Sequence, residues 1–371
     1  MAKHAYLPAS GSKQWLACPP SASLCAQVKD EGSSYAQEGS DAHSLCEHLL
    51  LTALGRPSRD PTEDLGNYNL EMQEAAEGYR DFVMEQIAAT GCADPYVCVE
   101  QTLDFSKWVP HGFGTGDCVI VADGVLHIVD FKYGTGVLVS AERNSQLMCY
   151  ALGALDTFGD LYEIRSVKLS IYQPRRSNAD TYEMSVAELL EWAENTLAPI
   201  AKLAFEGKGD FKAGDHCQFC KVRSTCRKRA EYSLELAKYD FADPPMLDAS
   251  EIAEILPRID TRVSWATDVK TYALQQALAG VHFPGYKVVQ GRSVRKYSDP
   301  DAVASVVANA GYEPYEKKLL GITEMTKQLG KKTFNELLGG LIVKPPGKPV
   351  LAPEDDKRTE YSTAANDFME E

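Results

Sequence analysis

Two β-rich runs joined by a tight-turn dipeptide constrain this chain more than any other feature. Asp117-Cys118-Val119-Ile120-Val121 and Leu126-His127-Ile128-Val129-Asp130-Phe131-Lys132 flank Ala122-Asp123-Gly124-Val125. An Asp-Gly step between such runs signals a hairpin. That hairpin sets Asp117 near the start of one strand and Asp130 near the end of its partner, close together across an antiparallel pair. Asp130 and Lys132 lie two apart on one strand and so face the same side. Two carboxylates beside an ammonium make a hard-oxygen site for Mg²⁺ or Mn²⁺. Phosphodiester hydrolysis uses such a set: the metal activates water and neutralises charge on the phosphate. The lysine orients the water or stabilises the pentacovalent state. On spacing alone, a surface hairpin with ordinary charges explains the pattern equally well.

The surrounding sequence alternates helical and strand periodicities. Helices are expected over Lys13–Cys18, Ser33–Leu54, Leu70–Thr90, Ala141–Leu155 and Val186–Phe205. Strands are expected at Tyr96–Glu100, Val167–Gln173 and Asp180–Met184. The composition shifts after about residue 245. Helical stretches at Ser250–Ala279 and Pro300–Ala310 then bracket a short expected strand, Tyr286–Val289, and a helical unit follows over Leu320–Leu338. Lys344-Pro345-Pro346-Gly347 opens a tail expected to be extended or disordered.

Other residues join the carboxylates by helical spacing. His43 lies four residues before Glu47 on one face of its helix, and imidazole is a good third ligand for such an ion. Gln146 and Tyr150 share a face just after the Asp130-x-Lys132 strand, where an amide and a phenol can hold a phosphate or a base. A polar helix surface accounts for each of these residues taken singly.

The ordered set His43, Asp117, Asp130-Phe131-Lys132 and Gln146-x-x-x-Tyr150 resembles the RecB-like nucleases of the PD-(D/E)XK superfamily, whose relatives include AddB and the CRISPR-adaptation nucleases. The resemblance implies an α/β fold, a restriction-endonuclease-like core of mixed central sheet flanked by helices, with helical additions at both ends. It implies His43, Asp117, Asp130 and the Phe131 carbonyl as metal ligands and Lys132 as the catalytic lysine. Gln146 and Tyr150 would contact substrate. Glu47 and Glu100 fall where the family often carries further acids. The matching motifs span roughly residues 7–230. Ser10-Gly11-Ser12 to Cys18, Gly114-Thr115-Gly116-Asp117 and Pro284-Gly285-Tyr286-Lys287 look like a phage-associated nuclease family in particular.

Ten cysteines occur. Cys25, Cys46, Cys92, Cys98, Cys118 and Cys149 stand singly and are expected as small buried hydrophobes. Cys217-x-x-Cys220, followed by Cys226, has metal-binding spacing. Zinc wants four protein ligands. The fourth must come from afar, with Cys18 the best candidate and His216 the rival. One cysteine near the N-terminus and three beyond the core resembles the iron–sulfur staple of AddB and the CRISPR-adaptation nucleases. This implies a structural [4Fe–4S] cluster on Cys18, Cys217, Cys220 and Cys226, with zinc as the alternative.

Charge narrows the partners. A net charge of −15 argues against nonspecific coating of DNA, yet the stretch from Cys217 to Arg229 holds Lys221, Arg223, Arg227, Lys228 and Arg229 and no acid. These five are expected to track phosphates, although a solvated basic face accounts for them as well. The N-terminus lacks the apolar core of a signal peptide and no long apolar run occurs, so the expectation is a cytoplasmic protein without a membrane span. No Gly-x-x-x-x-Gly-Lys-Ser/Thr loop is present, so any unwinding falls to a separate helicase. The expected organisation is a nuclease domain over 1–240, an α+β accessory domain over 245–343 and a flexible tail over 344–371. The expected function is a metal-dependent DNA exonuclease of phage recombination or replication, working with DNA and a single-strand-binding or annealing protein. The competing readings are a catalytically silent nucleic-acid-binding adaptor and a zinc-stabilised structural protein of a replication complex.

Overall fold

The computed structural model describes residues 5–28, 34–122, 124–234, 249–289, 297–315 and 319–343. Two compact units divide the chain, Met1–Val288 and Val289–Glu371. The first is built on one five-stranded sheet in sequential order: β1 (Tyr96–Asp104), β2 (Phe113–Ala122), β3 (Gly124–Phe131), β4 (Ile164–Gln173) and β5 (Asn178–Ser185). β1, β2 and β3 pair antiparallel, β3 and β4 parallel, and β4 and β5 antiparallel, so the sheet is mixed. The Ala122↔Val125 pair closes the hairpin, and Gly124 has φ +92°, a conformation that glycine adopts without steric cost.

Helices cover both faces. α1 (Ser12–Ala17) and α2 (Pro20–Ala26) open the chain, followed by α3 (Ser34–Ala53) and α4 (Leu70–Ala89). The parallel β3–β4 step needs a crossover, supplied by α5 (Ser145–Phe158), whose N-terminus is capped by the Asn144 side chain. Strand alternation sorts the core into two clusters. Val119, Val121, Leu126 and Ile128 join the α5 residues Leu147, Cys149 and Tyr150. Cys118, Ile120, Val129 and Phe131 join Leu45 and Leu50 of α3 and Tyr79 and Val83 of α4. The helical run expected over Val186–Phe205 is present as α6 (Val186–Trp192), a π-turn over Ala193–Leu197, and α7 (Ala198–Phe205). Pro199 stands at the start of α7, where its missing N–H breaks the regular ladder.

α8 (Arg227–Leu234) and α9 (Ala249–Leu278) complete the helices of the first unit. This differs from the boundary expected near residue 245. Arg229 is buried, and the carboxylate of Asp268 on α9 bonds its guanidinium, which ties α9 to α8. Residues 286–289 form no strand, so the expected Tyr286–Val289 strand is corrected to irregular chain. The alternation there is too short to hold a strand without a partner. In the second unit, α10 (Pro300–Asn309) precedes α11 (Ile322–Leu329) and α12 (Lys331–Leu338), the last two separated by Gly330 at φ +76°. The expected tail over 344–371 lies outside the described residues. No described helix is long and apolar enough to cross a membrane.

Candidate metal centre

The acids come together through strand register. Cys118 pairs with Val129, and one step further along the same ladder Asp117 stands opposite Asp130. On the other side Val99 pairs with Cys118 and Gln101 with Gly116, which brackets Glu100 opposite Asp117. Three carboxylates therefore form a row across three adjacent strands. Glu100 has φ +51°, left-handed for a non-glycine residue in a strand. Such conformations cost about 1–3 kcal/mol and persist where the surroundings over-determine them. The strained residue belongs to the acid row.

α3 brings His43 over this row. Its Nδ1 lies 3.4 Å from Asp117 Oδ1, and its ring packs edge-on against Phe131. One ligand atom each from His43, Glu100 and Asp117 lies within 4.8 Å of the others, the spacing of donors around a single ion. Asp117 Oδ2 accepts the Phe131 backbone N–H at 2.7 Å, which fixes the carboxylate. Glu47 lies outside that donor group but is near enough to raise Glu100 electrostatically.

On the α5 side the polar residues interlock. Asp130 is only 2% exposed. Lys132 Nζ donates to Asp130 Oδ1 at 3.1 Å and to Gln146 Oε1 at 3.1 Å. Gln146 Nε2 donates to Asp130 Oδ1 at 3.1 Å and to the Tyr150 hydroxyl at 3.3 Å. Asp130 Oδ2 lies 2.8 Å from Lys132 Nζ but receives no well-directed hydrogen bond. A Cβ at Gly114 would come within 2.8 Å of the Tyr150 ring, so this glycine, three residues before Asp117, makes room for Tyr150.

The electrostatics are unbalanced. Burial, together with Asp117, lifts Glu100 to about 7. Burial also raises Asp130 to about 6, against the pull of Lys132. Burial opposes the imidazolium of His43, yet Asp117 overcomes it and holds His43 up at about 9. Asp117 is lowered despite its burial because His43 and Lys132 flank it. Glu100, Asp117 and Asp130 crowd three carboxyl groups against one lysine, and that crowding raises Glu100 and favours the protonated His43. The donor group of His43, Glu100 and Asp117 fits a divalent cation, which would replace the His43 proton.

The four cysteines singled out by spacing line one cavity, together with His216 and Gln14. Cys18 follows α1, and the other three lie between α7 and α8. Among the described residues no three sulfurs lie within 4.8 Å of one another. A tetrahedral zinc site, with Zn–S about 2.3 Å, wants sulfurs roughly 3.8 Å apart. His216 Nε2 sits 2.9 Å from the Lys212 carbonyl, which engages one ring nitrogen. Sequence reading missed Cys25 here: its Sγ is 3.7 Å from Cys220 Sγ, and Gln14 Nε2 donates to it at 3.4 Å. No local spacing signalled this, because 195 residues separate the two cysteines.

The basic segment needs a correction. Arg229 is 1% exposed and bonded to Asp268, and Arg223 Nε donates to the same carboxylate at 3.0 Å. Lys228 pairs with Glu231 at 3.4 Å. Arg229 therefore serves the packing of α9 against α8 rather than a phosphate surface, because a buried guanidinium left unpaired is costly, while Arg223 shares that carboxylate with its side chain 40% exposed.

Among solved structures, that of the protein SSO0001 is similar at 13% identity and a TM-score of 0.23, covering 50% of this chain and 95% of its own. A likeness that low carries no argument about fold or activity. The family model described as "Protein of unknown function (DUF2800)" matches residues 4–359, nearly the whole chain, and the chain belongs to that family.

Proposed function

We propose that this protein is a metal-dependent DNA nuclease with a RecB-like PD-(D/E)XK core, acting as an exonuclease on DNA ends. The observation that carries the reading is the row of Glu100, Asp117 and Asp130 on three adjacent strands, closed by His43 on one side and by Lys132 on the other. His43, Glu100, Asp117 and Asp130 would hold Mg²⁺ or Mn²⁺, with the Phe131 carbonyl as a further donor. When bound, the cation supplies charge neutralisation at the phosphate and a nucleophilic water at neutral pH.

The chain's own groups do the rest. Lys132 Nζ, held between Asp130 and Gln146, donates toward the reacting phosphate and stabilises the charge that builds there. Gln146 fixes Lys132 and Asp130 together through one amide. Tyr150 presents its hydroxyl beside Gln146 and orients the strand. Glu100, raised to about 7 by burial and Asp117, would give up its proton on taking the cation. Cys18, Cys217, Cys220 and Cys226 would hold a [4Fe–4S] cluster that fastens the N-terminal helices to the segment between α7 and α8.

The test is cleavage of linear DNA labelled at either end, with Mn²⁺ or Mg²⁺, by protein purified anaerobically. Wild type is expected to shorten the DNA. Asp130→Asn and Lys132→Ala are expected to lose about 10²–10³-fold or more of the rate, the scale of removing one electrostatic transition-state contact, while keeping the wild-type melting profile. Equal shortening by the Asp130 variant, or none by wild type with either metal, sinks the reading. DNA binding without shortening moves the assignment to an adaptor.

A further inference from the structure

Lys132 and Gln146, which bond Asp130 of the acid row, also line a groove that extends beyond the acids. It runs from Lys132 and Gln146, past the loop before α5, to residues 216–219 of the cysteine segment. Its basic groups are Lys13, Lys132 and Arg143, and Glu142 is the one acid among its lining residues. That local excess of positive charge stands out in a chain of net charge −15. Lys13 and Arg143 are both solvent-exposed. The first turn of α5 faces the same space, adding the positive end of a 14-residue helix.

Two large apolar side chains stand open in this polar setting. Leu138 is 57% exposed and Phe219 is 69% exposed, and both line the groove. Phe219 stands one residue before Cys220, on the segment the cysteines would fasten. A bare aromatic ring beside basic side chains is how proteins hold unpaired bases: the ring stacks on a base, and cations track the phosphates. Duplex DNA keeps its base faces covered by stacking and offers Phe219 nothing comparable.

We infer that this groove is the binding path of a single DNA strand, with a base stacked on Phe219 and phosphates on Lys13 and Arg143, leading the strand to Lys132. The inference rests on the nuclease reading for its direction toward the acids and adds the strand preference that the acids alone do not set. Phe219 and the two cations are binding residues rather than catalytic ones.

The experiment is equilibrium binding of fluorescent single-stranded and duplex oligonucleotides to the full chain in EDTA, where no cleavage occurs, with metal-dependent cleavage measured separately. Wild type is expected to bind single strands more tightly than duplex. Phe219→Ala is expected to weaken single-strand binding at least about fivefold, the lower end for loss of one stacking contact, and Phe219→Trp to restore it. The Lys13→Ala/Arg143→Ala double variant is expected to reduce the salt slope of single-strand binding by about 1.4, the value for two phosphate contacts. All three positions are exposed, and an unchanged melting temperature separates lost binding from lost fold. Tighter binding of duplex, or full single-strand affinity in Phe219→Ala, overturns the groove. If wild type still cleaves in that case, the nuclease reading stands and the groove alone fails. Single-strand binding that depends on Phe219, in a protein that never cleaves, keeps the groove and removes the nuclease.

Discussion

The acid row and the cysteine site solve opposite assembly problems. Glu100, Asp117 and Asp130 repel one another, yet the sheet ladder fixes all three before any ion arrives. The perturbations of Glu100 and His43 record the cost of that pre-organisation. The cysteines come from chain segments about 200 residues apart, on short helices and irregular chain, and meet around one cavity. A sheet tolerates charge repulsion because its backbone hydrogen bonds do not depend on the side chains. Loops have no such ladder, and in the proposed reading a thiolate-bound group would hold them.

The largest effect that sharpens this contrast is expected at the cysteines. Cys217→Ser is expected to lose bound iron and to lower thermal stability by several kcal/mol (on the order of ~3 or more, as for loss of a structural metal). The acid variants lose none. Calorimetry with iron analysis reads both, and an unchanged melting profile in iron-free protein breaks the contrast.

A smaller effect is expected from pH. Burial and Asp117 raise Glu100 from its ordinary 4.5 to about 7. Its contribution to stability is therefore complete below pH 4.5 and is lost as pH rises through 7, at about 1.4 kcal/mol per unit between those values. Glu100→Gln is expected to flatten that part of the stability–pH curve, and saturating Mn²⁺ is expected to do the same in wild type. A wild-type slope that survives in Glu100→Gln places the strain elsewhere.

The smallest effect is expected at Lys228, whose exposed pair with Glu231 belongs to the kind worth about 0–1 kcal/mol. Lys228→Ala is expected to leave melting and single-strand DNA affinity within about twofold of wild type. A larger loss of affinity would return the basic segment to the DNA path.

Much of the site was legible in the sequence. The Asp-Gly turn and the alternating residues on either side were enough to bring Asp117 and Asp130 together, because hairpin register follows from the turn. Helical spacing put Gln146 and Tyr150 on one face, and they bond each other. Glu100 entered only through the resemblance, beside Glu47, since nothing local announces a left-handed residue within a strand. Arg223 and Arg229 looked like a DNA face because their counterion, Asp268, lies about 40 residues away on another helix.

The sequence by itself determined most of the sheet's strands and the helices packed on it, together with the hairpin register, but not the irregular chain at 286–289. Periodicity, turn residues and close spacing are local properties, and local sterics enforce them. Tertiary structure alone decided that His43 closes over Asp117, that Cys25 meets Cys220, that Arg229 is buried, and that Phe219 stands beside Lys13 and Arg143. Those contacts join residues distant in the chain, and they are set by how helices pack on a sheet, where many sequences satisfy one packing and no short motif records it.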